Sequence, residues 1–383
     1  MFDWLLRRGR GAERKSASGF VAWRPQGRAY WSGRDYAAFA RDGYGANAVA
    51  HRCVRLIAEA AAGAVLRVDP VGHPLAALMA RPNPEQTGIE LMETIFGHLQ
   101  VAGNAYLEAC AIDDGPPREL FALRPDRVTV TPGARGWPVG WTYRSGAHVR
   151  QLDRDPLTER APVLHLKTFH PLDDWYGQSP MAAAACAIDI HNAGGAWNKA
   201  LIDNAARPSG ALVYGASERL TEEQHARLKA EIDAVMTGPD NAGRPILLDG
   251  GLDWKPMSLT PADMDFISAR HAAAREIALA FGVPPMLLGI PGDNTFANYR
   301  EANSAFWRQT ALPLALKTAR ALDAWLGDRW PEAGRAVVSL DLDAIPALGP
   351  ERDATWARIA AADFLTMDEK RRLAGVTAPE AAR

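Results

Sequence analysis

Cysteine is scarce in these 383 residues. Cys53, Cys110 and Cys186 are odd in number, widely spaced and form no C-x-x-C pair. That argues against a disulfide framework or a thiolate metal knuckle, and the three read as small buried hydrophobes in a reducing compartment. An excess of basic charge is also missing. The 43 Lys and Arg against 45 Asp and Glu leave a net charge of -2, unlike a chain that grips nucleic acid tightly. No apolar run approaches the roughly 20 residues of a membrane span. Met1-Phe2-Asp3-Trp4-Leu5-Leu6-Arg7-Arg8 places charge after a very short apolar patch, the reverse of a secretory leader, so synthesis and retention in the cytoplasm are expected. The common enzyme signatures G-x-x-x-x-G-K-[ST], H-E-x-x-H, G-x-S-x-G and G-x-G-x-x-G do not occur. Without a phosphate-cradling loop the chain is not itself an ATP-driven motor.

What is present is ample core material. Hydrophobic residues at 48% and charged residues at 23% describe a soluble globular protein of two or three domains, or one elaborate subunit. The chain is organised around Leu259 to Leu326. Thr260-Pro261-Ala262-Asp263 combines a capping residue, a proline suited to the first helical position and an acid near the positive end of the helix dipole. Met264, Ile267, Ala274, Ile277 and Phe281 then fall on one face at helical spacing. Gly282 and Pro284-Pro285 end that helix. An apolar, proline-rich loop follows, and a helical pattern runs from about Phe296 to Leu326. Pro313 is expected to kink it by removing a donor and colliding with the preceding turn.

This ordered series carries a resemblance. Asp265-Phe266-Ile267, Arg275-Glu276-Ile277-Ala278, Phe281-Gly282-Val283-Pro284-Pro285 and Leu288-Gly289 resemble the portal proteins of long-tailed bacteriophages, and more closely those of gene transfer agents. Asn298-Tyr299-Arg300-Glu301-Ala302 and Phe306-Trp307-Arg308-Gln309-Thr310-Ala311-Leu312-Pro313 continue the likeness, which runs from about Asn47 to Gly375. The resemblance implies an α+β portal-like subunit. Its parts would be a flexible basic arm (1–45), an α+β wing (46–178), a stem helix (179–206), a small α/β clip (207–260) and a second stem helix (261–282). A tunnel loop (283–297), a kinked tunnel helix (298–327), a strand returning to the wing (335–345) and short crown helices with a tail (350–383) would complete it.

It also implies function: a dodecameric, head-to-tail homo-oligomeric ring at one vertex of a capsid, assembled in the bacterial cytoplasm. Double-stranded DNA would pass through the ring. The major capsid protein, the terminase large subunit and a head-tail adaptor protein would be its partners, with no membrane, cofactor or metal. In that frame Asp293, Asn294, Thr295, Phe296 and Asn298 line the channel, where short, weakly charged groups would not retard sliding. From spacing alone the same loop reads equally as an ordinary helix cap. Gly194, Gly195, Pro284, Pro285 and Pro313 form the expected subunit-packing set. Each helical glycine costs about 1 kcal/mol relative to alanine, so Gly194-Gly195 calls for a compensating close contact or a bend.

The residues themselves support further expectations. Up to Asp35, eight Lys and Arg stand against Asp3, Glu13 and Asp35, which suits either a basic arm for nucleic acid or an acidic partner, or a solvated leader. Asn47 can cap a helix bearing Val49, Val54 and Ile57. Thr87-Gly88-Ile89-Glu90, Thr221-Glu222-Glu223-Gln224 and Thr366-Met367-Asp368-Glu369 have capping-box spacing. Strands are expected at 64–68, 105–112, 128–130, 139–143, 163–169, 211–214, 245–248, 252–257 and 337–342, with a helix near 353–362. Eight acids against six bases in 207–260 suit a protein partner better than DNA.

Two histidines and two carboxylates in His165-Leu166-Lys167-Thr168-Phe169-His170-Pro171-Leu172-Asp173-Asp174 leave an alternative open: a metal-dependent hydrolase using His165, His170 and Asp173. The spacing fits no common zinc pattern. The plainer reading puts His165 in a strand and gives Asp173-Asp174 a turn-capping role before a packing corner at Trp175-Tyr176-Gly177. A non-viral oligomeric scaffold is the third reading. Twelve tryptophans invite base stacking, but most have aliphatic neighbours at helical spacing and read as core or subunit interface.

Overall fold

The computed structural model describes residues 32–112, 115–134, 136–203, 210–214, 221–224, 226–227, 230, 252–256, 266–291 and 296–374. Residues 36–45, at the end of the expected arm, are helical. Asp35 caps a helical turn at Tyr36–Ala38 that continues as π turns over Phe39–Gly45. Ala38, Phe39 and Gly43 are buried there because this short segment covers the helices that follow.

Helix α1 (Ala48–Ala62) starts where Asn47 Oδ1 accepts the Val49 and Ala50 amides at 3.1 and 3.0 Å. Its buried residues Ala50, Cys53, Val54, Ile57, Ala58 and Ala61 recur at helical spacing. Strand β1 (Leu66–Asp69) and helix α2 (Pro74–Ala80) lead to α3 (Gly88–Ala102), which opens with a complete Thr87–Glu90 capping box and ends on Gly103 at φ 70°. Two antiparallel sheets come next, β3-β2-β7 and β4-β5-β6. Their strands are β2 (Asn104–Cys110), β3 (Glu119–Leu123), β4 (Val128–Pro132), β5 (Pro138–Ser145), β6 (His148–Asp153) and β7 (Val163–Lys167). Tyr106, Leu123, Val128, Val130, Trp141, Leu152 and Val163 form a core shared by the two sheets.

Helix α4 (Pro180–Asp203) then runs for 24 residues. Strand β8 (Gly210–Tyr214) pairs antiparallel with β9 (Leu252–Pro256), so the first and last strands of the intervening segment close on each other. Within it, Thr221 and Gln224 exchange the reciprocal bonds of a capping box. The expected strand at 245–248 and the helix start at Thr260-Pro261 lie outside the described residues.

Helix α5 (Phe266–Phe281) ends as its sequence requires. Gly282 is left-handed at φ 66°, its amide reaches Leu279 O at 3.0 Å, and the Val283 amide reaches Ala278 O at 2.9 Å. This is the paired-bond stop that glycine makes inexpensive. Ile267 departs from expectation. It is 69% exposed although it shares the apolar stripe, because the described part of α5 from 267 to 272 is exposed on every face.

Helices α6 (Phe296–Phe306) and α7 (Leu312–Leu326) are joined by a π turn at Trp307–Ala311. The distortion expected at Pro313 is thus placed in the turn before it. The Leu312 amide bonds Trp307 O, five residues back, which widens the turn just where the proline ring would meet a carbonyl and where its missing amide leaves a gap. Strand β10 (Val337–Leu340) pairs antiparallel with β1, and α8 (Gly349–Ala360) and α9 (Met367–Leu373) end the described chain. The three cysteines are free. Cys53 is buried, as expected of a small hydrophobe, but Cys186 is exposed on α4 because it falls on the face turned from the core.

One polar joint fixes how these parts meet. Asn104, 6% exposed, donates to Ala102 O and Gly177 O and accepts from the Gly177 amide at 2.7 Å. Its Oδ1 also faces His165 Nε2 at 3.0 Å. A side chain at Gly177 would lie 2.1 Å from Gly103 O, so both glycines are required for this approach. Asn104→Ala leaves several of these buried groups without partners and is expected to cost about 2–3 kcal/mol. Calorimetry of the full chain tests it; an unchanged thermal midpoint would remove Asn104 from this role.

Candidate functional site

The loop that follows α5 is held along its described length. Pro284 begins a 3-10 turn at Pro285–Leu288, and Gly289 closes it in the left-handed region at φ 70°. Both prolines are half-buried. Ile290, 8% exposed, packs on Ala274 and Ala278 of α5, and its amide bonds Pro285 O at 3.2 Å. Arg275 donates to Pro291 O at 2.6 Å. At the other end Thr310 Oγ1, in the π turn, donates to Gly282 O at 2.6 Å. The loop is therefore pinned to α5 at its exit and to the π turn at its entry.

Asp293, Asn294 and Thr295 lie outside the described residues, as does the side chain of Phe296, whose backbone opens α6. Asn298 is exposed in the first turn of α6 beside Tyr299, which is 51% exposed. Pro313 is exposed on α7. The Gly282–Thr310 bond brings the loop next to the π turn that precedes Pro313, so Pro284, Pro285 and Pro313 belong to one neighbourhood of the chain.

Gly194 and Gly195 sit elsewhere, in a part of α4 with a distinct character. The helix buries Met181, Ala184, Ala185, Ala187, Ile188 and His191, and no described side chain beyond His191 is buried. A Cβ built at either glycine would meet nothing within 4 Å. Among the described residues no close contact offsets them, and the helix runs through them unbroken. At the last buried position, His191 Nδ1 lies 3.2 Å from Asn47 Nδ2, and Arg270 Nε donates to Nε2 at 3.3 Å. Burial and then Arg270 lower the His191 pKa, which keeps the ring an acceptor for the guanidinium. Asn192 donates to Asp42 O at 2.8 Å, tying α4 to the π turns at its base.

The residues of the hydrolase reading are used otherwise. His165 is in β7, stacked on Tyr106 with ring centroids 4.3 Å apart. Burial and then Lys167 push its pKa down to about 3. His170 Nδ1 accepts the Leu172 amide, and Asp173 Oδ1 accepts those of Trp175 and Tyr176 at 2.7 and 2.9 Å. Asp173 does cap the turn; Asp174 contributes its backbone carbonyl, to Lys167 Nζ. Among the described residues no group of three or more His, Cys, Asp or Glu is arranged to hold a metal ion. No described helix is long and apolar enough to cross a membrane.

A model of the family described as phage portal protein matches residues 48–375. A protein of Rickettsia bellii (strain RML369-C) is 40% identical over 343 residues, covering 88% of each chain. The portal protein of Enterobacteria phage HK97 is 25% identical over 264 residues, covering 68% of this chain and 59% of that protein. Among solved structures, the chain is similar to one from the neck of a native GTA particle computed with C12 symmetry and to one from the virion of a native gene transfer agent particle. Each match has 50% identity and a TM-score of 0.70, and covers 92% of this chain and 96% of the other.

Neutral, partly buried histidines make stability depend on pH in a definite direction. The unfolded chain takes up protons near the ordinary value of 6.5, whereas folded His165 and His98 do so only near about 3 and about 4, both chiefly through burial. Between these limits the unfolded state binds more protons, so stability is lost as pH falls. The thermal midpoint should drop between about pH 7 and about pH 4.5, and His165→Gln should shrink that drop. Equal pH dependence in both proteins would overturn the assignment to His165.

Proposed function

The chain belongs to the phage portal protein family, and from that premise we propose that twelve copies close head-to-tail into the ring through which duplex DNA enters and leaves a phage-like capsid. The observation that carries this is the 50% identity to a subunit of a C12 gene transfer agent neck over nine-tenths of both chains. In a cyclic head-to-tail ring each subunit presents two different faces, and closure depends on the angle between them. The particle's portal vertex is the place of action, with assembly in the bacterial cytoplasm.

In this reading the α+β part with β1–β7 and β10 is the wing, α4 and α5 are the stem, and β8–β9 mark the base of the clip. The crown is α8 and α9. The loop after α5 and the start of α6 face the channel, with Asp293, Asn294, Thr295, Phe296 and Asn298 as the groups that DNA slides past. The chain acts as structure and gate, while a terminase large subunit docked on the ring supplies hydrolysis. A head-tail adaptor later takes that docking face, and the major capsid protein surrounds the wing.

Gly194 and Gly195 are then sites of close approach between neighbouring stems, which accounts for glycines where an added Cβ would meet no described residue of the same subunit. Gly195→Leu tests this cleanly. Leucine is the better helix former by somewhat under 1 kcal/mol, so the isolated subunit should be no less stable while rings are lost. Negative-stain electron microscopy with mass photometry reads the result; normal rings would remove the interface role. For the channel, replacing Asn294 and Thr295 together with tryptophan should leave rings intact and lower DNA packaging. Unchanged packaging would count against that loop.

A further inference from the structure

One cleft is lined by none of the residues proposed above for subunit packing or DNA passage. It has a volume of about 600 Å³ and lies between the β4-β5-β6 sheet, the end of β7 and the last turns of α7. Four tryptophans line it: Trp137, Trp141, Trp175 and Trp325. Trp137 is 76% exposed at the start of β5, so an aromatic face already stands open to solvent at the rim.

The arginines of this cleft are bonded to backbone carbonyls rather than to carboxylates. Arg329 donates to Ala161 O at 2.8 Å and to Trp325 O at 3.2 Å, and Trp325 Nε1 donates to the same Ala161 carbonyl at 2.8 Å. Arg160 reaches only Asp328 O, at 3.5 Å, and Arg154 donates to Glu159 O at 2.7 Å. Among the described residues none of these three arginines has a carboxylate within ion-pair distance. Burial, and then the neighbouring Arg160, lower the pKa of Arg329, so the two guanidinium groups repel each other across the cleft. Trp141, 2% exposed, has the one buried side-chain nitrogen among the described residues that finds no partner. Arg154 and Arg160 border a built turn. Asp155 Oδ1 caps Leu157 at 2.8 Å, the Asp155 amide bonds Arg160 O at 2.9 Å, and Glu159 adopts φ 57° to close it.

We propose that this cleft docks an extended acidic segment of a partner protein, with carboxylates on Arg160 and Arg329 and a proline or aromatic side chain against the tryptophans. Planar guanidinium groups match carboxylates, and aromatic-lined grooves accept extended proline-containing chains at low entropic cost. Nucleic acid fits less well. Glu159, Asp174 and Asp328 share the lining, and of these Asp328 is neutralised by Arg335 at 2.9 Å. A continuous phosphate backbone would meet the other two, whereas a peptide can set its charges on the arginines alone.

The test uses the purified full chain on an array of short peptides, acidic, neutral and basic, each with and without tryptophan and proline. Binding should rise with carboxylate number and rise further with an adjacent aromatic or proline. Arg160→Glu, at an exposed position, should weaken binding about tenfold. Trp137→Ala, also exposed, should weaken the aromatic and proline peptides selectively. Neither change should alter ring formation by electron microscopy. Absence of binding above background, binding indifferent to carboxylates, or full binding by Arg160→Glu would each overturn the proposal. Displacement of the acidic peptides by oligothymidylate at equal concentration would also overturn it and assign the cleft to nucleic acid.

Discussion

The joint around Asn104 is the constraint on which the rest of the architecture depends. One buried side chain ties the end of α3, the start of β2, the middle of β7 and the approach to α4. Thr168 adds bonds to Gly103 O and Gln178 O, and Ser179 Oγ donates to Gln100 O while capping Met181. These contacts set the direction in which the long helix leaves the two sheets. They hold only because Gly103 and Gly177 lack side chains, since a Cβ at either would meet backbone within 2.6 Å. A buried polar network of this kind is costly if half-satisfied and rigid if complete; here it is complete enough to act as the hinge-free base of α4.

Beyond that base the balance of forces changes. From Met181 to His191 the helix is held by buried alanines and aliphatics packed on α1 and α5, and past His191 the described chain offers it no buried residue. The facing residues of α5, 267–272, are exposed as well. Isolated helices of this length are marginal in water, and two adjacent glycines weaken one further. A monomer would gain little from such a projection. In the proposed ring each pair of helix ends would be covered by its neighbour.

Much of the local structure was legible because its causes are local. The Thr87, Thr221 and Thr366 capping boxes, the Asn47 cap and the stop at Gly282 each follow from residues within a few positions. Strands β3 and β6 were not legible. β6 is polar and almost wholly exposed, so it lacks the alternation that marks a strand, and pairing with β5 alone creates it. Burial of Ala38 and Phe39 also escaped, because a segment rich in Gly, Ser and Arg gives no periodic signal and is recruited by the surface of helices elsewhere in the chain. Ile267 shows the converse: spacing identifies a stripe, but only tertiary structure decides how far along a helix the core extends. The functional fragments around 281–289 and 298–313 were readable as a family series. The tryptophan and arginine cleft was not, since its lining comes from positions almost two hundred residues apart.

The two anchors of the loop after α5 explain why Pro313, at the start of α7, belongs to the same device. Pro313 forces the preceding turn to widen, and the widened π turn carries Thr310, whose hydroxyl takes Gly282 O. Gly282 in turn must be glycine twice over, for its left-handed backbone and because a Cβ would sit 2.9 Å from Thr310 Oγ1. With Arg275 fixing Pro291 from the other side, the loop's height along α5 is set by covalent geometry and three short contacts rather than by packing alone. In the proposed ring, a loop held in this way over its described residues would stand at the same height along α5 in every copy, as a regular bore requires.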